Sequence, residues 1–292
     1  MNRLDPPNYF DDDAALDALA LNRRLKCHPQ FAAQVPAIKG GYAQYVAASG
    51  NAHSVANVAL PEPIKAQLKA LYASPSKELP HIDRIREQSD ANCCPMCGSF
   101  HSGTLDHLLP KAVYPVFAIF SRNLVPACMC NSKRTEQVIG AADERILHPY
   151  FDDVLRERLF VARFEELGLA PRITLRPLLA LGHPQAAAVR FHMTNVVERT
   201  SILRYLRTSW TNVLRRPSLA AAELRVTPAS RQALADTITT ELHRQDDTFG
   251  SRNNWRSVFL AGLLDNQTLD WLFAAFEMPG REQDGPLVDG IV

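Results

Sequence analysis

Apolar positions recur at helical spacing towards both ends of the chain. After Pro61-Glu62-Pro63, residues Ile64, Leu68 and Leu71 fall at i, i+4 and i+7, the stripe of a helix facing a core. Residues 79–87 fit a second short helix, with Ile82 and Ile85 inward and Arg84, Arg86 and Glu87 outward. Asp11-Asp12-Asp13 before Ala14 reads as a solvated helix start, because carboxylates favour the positive end of the helix dipole. Segment 1–90 is therefore expected to be mostly helical. In segment 151–292, residues 159–164 and 173–175 read as strands that could pair. Helical stripes follow: Leu203, Leu206, Trp210 and Val213; Leu234, Ile238 and Leu242; Leu269, Leu272, Phe273 and Phe276.

Between them, segment 91–150 has another texture. Turn residues (Gly98, Ser99, Ser102, Gly103) alternate with short apolar runs, as in a small β-hairpin. Residues 104–109 can form one strand, 116–119 with Leu124-Val125 an extended return, and the stretch after Ala127 a short helix ending at Gly140. The expected class is α+β, a predominantly helical chain around one small central ββα unit.

Composition changes this picture little. With 292 residues, 46% hydrophobic and 22% charged, the chain can bury a sizeable core. A net charge of +1 gives no global basic signal, so any contact with nucleic acid must be local. The first residues are acidic and unlike a signal peptide, and no apolar run approaches a membrane span. A cytoplasmic setting without a membrane partner is expected, where six cysteines favour metal or catalysis over disulfides.

The cysteines supply the first chemistry. Cys94-Pro95-Met96-Cys97-Gly98 has the form of a metal knuckle, and Cys128-Met129-Cys130 completes four thiolates for one tetrahedral zinc. The second pair is C-x-C, a tighter bite than usual, and Cys93 and His101 are conceivable substitute ligands. Cys27 stands alone and reads as a buried small hydrophobe. Asp106-His107 supplies the second chemistry: a neutral imidazole can accept a proton from water, and a carboxylate offers a hard oxygen to Mg²⁺ or a similar cation. Asn123 and Asn131 lie downstream. Local charge is positive, with Lys111, Arg122, Lys133 and Arg134 against Asp106 alone between 106 and 134. Lys111, Lys133 and Arg134 are candidate phosphate contacts. The arginines at 156, 158, 204, 207, 215 and 216 are expected to be scattered surface charges unless the fold gathers them. His148 and His192 read as structural histidines.

The string LDHLLPKAVYPVFAIFSRNLVPACMCNSKR resembles the motif of HNH endonucleases, the ββα-metal fold with a zinc knuckle. That resemblance implies His107 as general base and Asp106 as the neighbouring metal ligand. It implies Asn123 as the brace of the inter-strand loop, Asn131 as a further metal ligand, and zinc on Cys94, Cys97, Cys128 and Cys130. The usual second knuckle, C-x-x-C-N, is one residue longer. Asp-His-x-Leu-Pro-Lys followed by Tyr-Pro-x-Phe looks similar to the HNH subunits of Septu-type and retron-associated antiphage systems, which work beside an ATPase subunit. The implied activity is Mg²⁺-dependent phosphodiester hydrolysis, in DNA before RNA. The rival readings are an RNA- or tRNA-cleaving nuclease, a zinc-stabilised binding module without cleavage, and a redox enzyme using Cys94 and Cys97.

Overall fold

The computed structural model describes residues 1–87, 92–100, 103–134 and 136–290. It shows a mixed helix-and-strand chain. Helix α1 (Asp12–Leu21) starts where the Asp11 carboxylate accepts from Ala14 N at 3.0 Å. Helix α2 (Gln30–Ala47) buries Phe31, Val35, Ile38, Tyr42 and Tyr45. Helix α3 (Glu62–Ala73) buries the expected Ile64, Leu68 and Leu71, and α4 (Pro80–Glu87) buries Ile82 and Ile85. Asp12 departs from the solvated start: its carboxylate accepts from Ser121 N at 2.9 Å and from Ser121 Oγ at 2.6 Å.

Strands β1 (Thr104–His107) and β2 (Leu124–Ala127) pair antiparallel, with Asp106 opposite Val125 and His107 opposite Leu124. The expected return at 116–119 is not a strand. Pro115 fixes its own φ and opens a 3₁₀ turn, Pro115–Phe117, and the apolar run 116–120 fills the core instead. The expected helix after Ala127 is also shorter, a single 3₁₀ turn at Met129–Ser132. Cys128 Sγ accepts from Cys130 N at 3.2 Å at its start, capping a turn wound to about three residues per turn, and Arg134 turns back to β1 just beyond it.

The C-terminal segment follows expectation. Strands β3 (Phe160–Glu165) and β4 (Arg172–Pro177) pair antiparallel, and α5 (Ala186–His192) runs into a π turn at Met193–Val197. Helices α6 (Ile202–Arg215), α7 (Arg231–Phe249), α8 (Trp255–Leu263) and α9 (Asn266–Phe276) complete it. Helix α8 lies so close on β3 that a Cβ at Gly262 would meet Ala162 O at 2.4 Å, so only glycine fits there. Buried residues from Leu16 to Leu287 form one continuous core that includes the hairpin and the cysteines. No helix among the described residues is long and apolar enough to cross a membrane.

Candidate functional site

The knuckle is wedged into the C-terminal segment. Trp255 donates from Nε1 to Cys97 O at 2.8 Å and from its backbone N to Gly98 O at 3.1 Å. His192 donates from Nε2 to Met96 O at 2.7 Å while its Nδ1 accepts from Leu147 N at 3.0 Å. Gly98 has φ +79°, and a Cβ there would meet Asn253 O at 2.1 Å. His192 is the satisfied core histidine expected, but its hold on the knuckle carries no sequence signature.

These braces bring Cys94, Cys97, Cys128 and Cys130 together. All four sulfurs lie within 4.8 Å of one another, with Cys94 Sγ to Cys130 Sγ at 3.6 Å and Cys97 Sγ to Cys128 Sγ at 3.5 Å. A tetrahedral ion with Zn–S near 2.3 Å requires sulfurs about 3.8 Å apart. Cys128 N donates to Cys94 Sγ at 3.3 Å, the kind of contact that stabilises a thiolate. Hydrogen bonding between Cys130 and Cys128 drives the Cys128 thiol down and the Cys130 thiol up. A cation among the sulfurs relieves that conflict, because coordination deprotonates them all. The four cysteines can hold a metal ion such as zinc, and the C-x-C spacing supplies both of its sulfurs. Cys93 stays apart, its Sγ 3.9 Å from Phe249 O, and His101 lies outside the described residues.

His107 ends β1 and is buried. Its Nε2 lies 2.9 Å from Ala118 O; a carbonyl only accepts, so Nε2 carries the proton and Nδ1 the lone pair. Tyr72 of α3 packs edge-on against the imidazole at 4.1 Å and donates to Leu105 O at 3.1 Å. Burial above all lowers the His107 pKa to about 4, so the ring is neutral at pH 7. Tyr72 was legible only as i+8 of the α3 stripe that begins at Ile64.

Asn123 is fully buried and fully bonded. Its Oδ1 accepts from Leu109 N at 2.8 Å and Tyr45 OH at 3.1 Å; its Nδ2 donates to Leu109 O and Phe117 O, both at 3.1 Å. One side chain thus ties both arms of the inter-strand loop and fixes the stretch that presents Ala118 O to His107. Tyr45 OH in turn accepts from His148 Nε2 at 3.0 Å, which makes His148 part of this brace.

Asp106 is placed differently from the sequence expectation. Arg134 Nε donates to its Oδ2 at 2.7 Å and Nη2 to its Oδ1 at 3.1 Å, with the two side chains 4% and 9% exposed. Arg134 also donates to His107 O and Leu108 O. Both Asp106 oxygens are therefore engaged by a guanidinium, and a divalent cation reaches them only by displacing Arg134. Arg134 is likewise turned inward, away from the phosphate-contact position expected of it. Lys133 is exposed beyond the 129–132 turn, and Lys111 Nζ lies 4.3 Å over the Tyr72 ring. Asn131 belongs to that turn, but its side chain lies outside the described residues.

Comparison with known proteins adds one partial likeness. The chain is similar to Protein ea31 of Escherichia phage lambda, 42% identical over 82 residues. Those residues are 26% of this chain and 27% of that protein, so the match spans about a quarter of each. No protein-family model matches the chain, and no solved structure matches it.

Proposed function

We propose that the chain is an HNH-type endonuclease of the ββα-metal class that hydrolyses phosphodiester bonds in DNA, with structural zinc on Cys94, Cys97, Cys128 and Cys130. The observation that carries this reading is the His107–Ala118–Asn123 arrangement. It holds an imidazole at a strand end in a single tautomer, with a proton-accepting nitrogen and no charge at pH 7. His107 Nδ1 takes the proton of an attacking water, and Asn123 keeps the ring's anchor in place. A divalent cation, when bound, supplies neutralisation of the phosphodiester; the sequence resemblance assigns it to Asp106 and Asn131. By the same resemblance, the chain works in bacterial antiphage defence beside an ATPase subunit in the cytoplasm.

The test is nicking of supercoiled plasmid by purified protein with Mg²⁺, with EDTA as control and His107→Ala as comparison. His107→Ala should lose about 10²–10⁴-fold in rate per folded molecule while keeping zinc. Undiminished cleavage by that variant would overturn the reading. The Arg134–Asp106 pair favours a second reading, a zinc-stabilised nucleic-acid-binding module without cleavage, which predicts DNA binding and no nicking under any divalent ion. An RNA arm in the same assay separates DNA from RNA cleavage.

A further inference from the structure

Three arginines that are dispersed in the sequence come to one face of α6. At about 100° per residue, Arg204, Arg207 and Arg215 fall within about 80° of arc and span about 16 Å along the helix. All three are exposed, and so are Thr208 and Thr211 between them. The helix, ILRYLRTSWTNVLR, contains no acidic residue. None of the three arginines has an ion-pair partner among the described residues. Two other arginines of the C-terminal segment differ: Arg158 is paired with Asp246 at 2.6 Å, and Arg216 lies 3.8 Å from Asp284. The opposite face of α6 buries Ile202, Leu206, Trp210 and Val213, so the arginines stand on a rigid support.

The helix is also fixed to the candidate site. Tyr205 packs edge-on against Phe100, just beyond the knuckle, at 5.2 Å, and at a tilt against Trp255 at 5.6 Å. The π turn leading to α6, Met193–Val197, packs on the Met129–Ser132 turn, which leads directly to exposed Lys133.

We propose that the Arg204–Arg207–Arg215 face of α6 is a docking surface for the sugar–phosphate backbone of duplex DNA, holding the substrate beside the hairpin. This rests on the nuclease reading and extends it to a surface outside the motif. One charge per about 3.4 Å of each DNA strand matches a straight cationic ridge of this length. The solvent face of α6 offers arginine and threonine, which bond phosphates, but no aromatic ring on which unpaired bases would stack, so the ridge suits a duplex.

The experiment measures binding of a short DNA duplex at several salt concentrations, using full-length His107→Ala protein to prevent cleavage. The triple variant Arg204→Gln, Arg207→Gln, Arg215→Gln is compared with the charge-matched exposed control Arg23→Gln, Arg24→Gln, Arg176→Gln, after equal melting temperatures are verified. The ridge variant should bind about 100-fold more weakly at 0.15 M salt, and its log–log salt slope should fall by about 3, near 0.9 per lost phosphate contact. The control should change little. Equal losses in both triples, no loss in either, or tighter capture of an RNA duplex of the same length would overturn the proposal. If the His107→Ala protein itself binds no DNA, the nuclease reading fails; if it binds and only the ridge variant is unaffected, the ridge alone fails.

Discussion

Arg134 grips Asp106 through two nitrogens, at 2.7 and 3.1 Å, and spends further donors on the carbonyls of His107 and Leu108. Its Nη1 is buried without a partner among the described residues. A guanidinium here does what a divalent cation would do for the same carboxylate: it neutralises it and pins the end of β1. The two are competitors for the same oxygens. Removing one member of a buried pair leaves the other uncompensated, so Arg134→Gln should cost about 3–5 kcal/mol in metal-free buffer. Added Mn²⁺ should then raise the melting temperature of the variant more than that of the unaltered chain. Equal shifts in both would show that Asp106 does not take the ion.

The cysteine cluster makes a separate prediction. Purified protein should carry one zinc per chain, and Cys94→Ser should lose zinc and stability together, because structural metal binding is folding free energy. A strong chelator should lower the melting temperature of the unaltered protein and leave that of Cys94→Ser nearly unmoved. Full stability without metal would show that the core alone holds the four sulfurs together, and would return the redox reading to contention.

Why some of this was legible in sequence and some was not follows from the range of the interactions. Ile64, Leu68 and Leu71 bury where their spacing put them, since periodicity is a local property of one helix. The cysteine pairs met because C-x-x-C and C-x-C constrain each pair locally and the hairpin brings the pairs together. In sequence Arg134 reads as a phosphate contact because its charge is visible there, whereas its choice of Asp106 depends on the chain turning back after one 3₁₀ turn. Tyr72, Tyr45 and Trp255 reach the site from 35, 78 and 158 positions away from His107, Asn123 and Cys97, respectively. No local pattern encodes such contacts. The α6 ridge lies between these extremes: its arginines follow helical spacing, but their lack of acidic partners among the described residues depends on the fold.

The Tyr45 hydroxyl is the hinge of the brace behind His107. It donates to Asn123 Oδ1 and accepts from His148 Nε2. Tyr45→Phe keeps the ring packed against Phe117 and Phe120 but removes the hydroxyl that accepts from His148 Nε2 in the core. The cost should be about 1–3 kcal/mol, the desolvation penalty of one buried donor. Asn123 retains its bonds to Leu109 and Phe117, so cleavage per folded molecule should fall far less than in His107→Ala. A loss in Tyr45→Phe as large as that of His107→Ala, at unchanged stability, would place the hydroxyl in the chemistry itself.

Stability should also decline on mild acidification. Burial lowers the pKa of His81 to about 4 and that of His148 to about 3, against about 6.5 in the unfolded chain. Between pH 6.5 and these values the unfolded state binds protons that the folded state does not, so stability falls as pH falls. The two rings together contribute a slope of up to about 2.7 kcal/mol per pH unit. Asp12 opposes them: burial raises its pKa to about 6, so the folded state gains a proton there that the unfolded state takes up only near pH 4. One carboxylate against these two imidazoles alone would leave a net loss of up to about 1.4 kcal/mol per pH unit around pH 5, and counting His107 and His192 raises it to up to about 4. His107 and His192, each also lowered to about 4 by burial, act in the same direction as His81 and His148. Urea midpoints measured from pH 7.5 to 5 with zinc saturating should drop steadily below pH 6.5, and Asp12→Asn should steepen the drop. A flat profile would mean that the buried histidines find acceptors on protonation and titrate as they do in the unfolded chain.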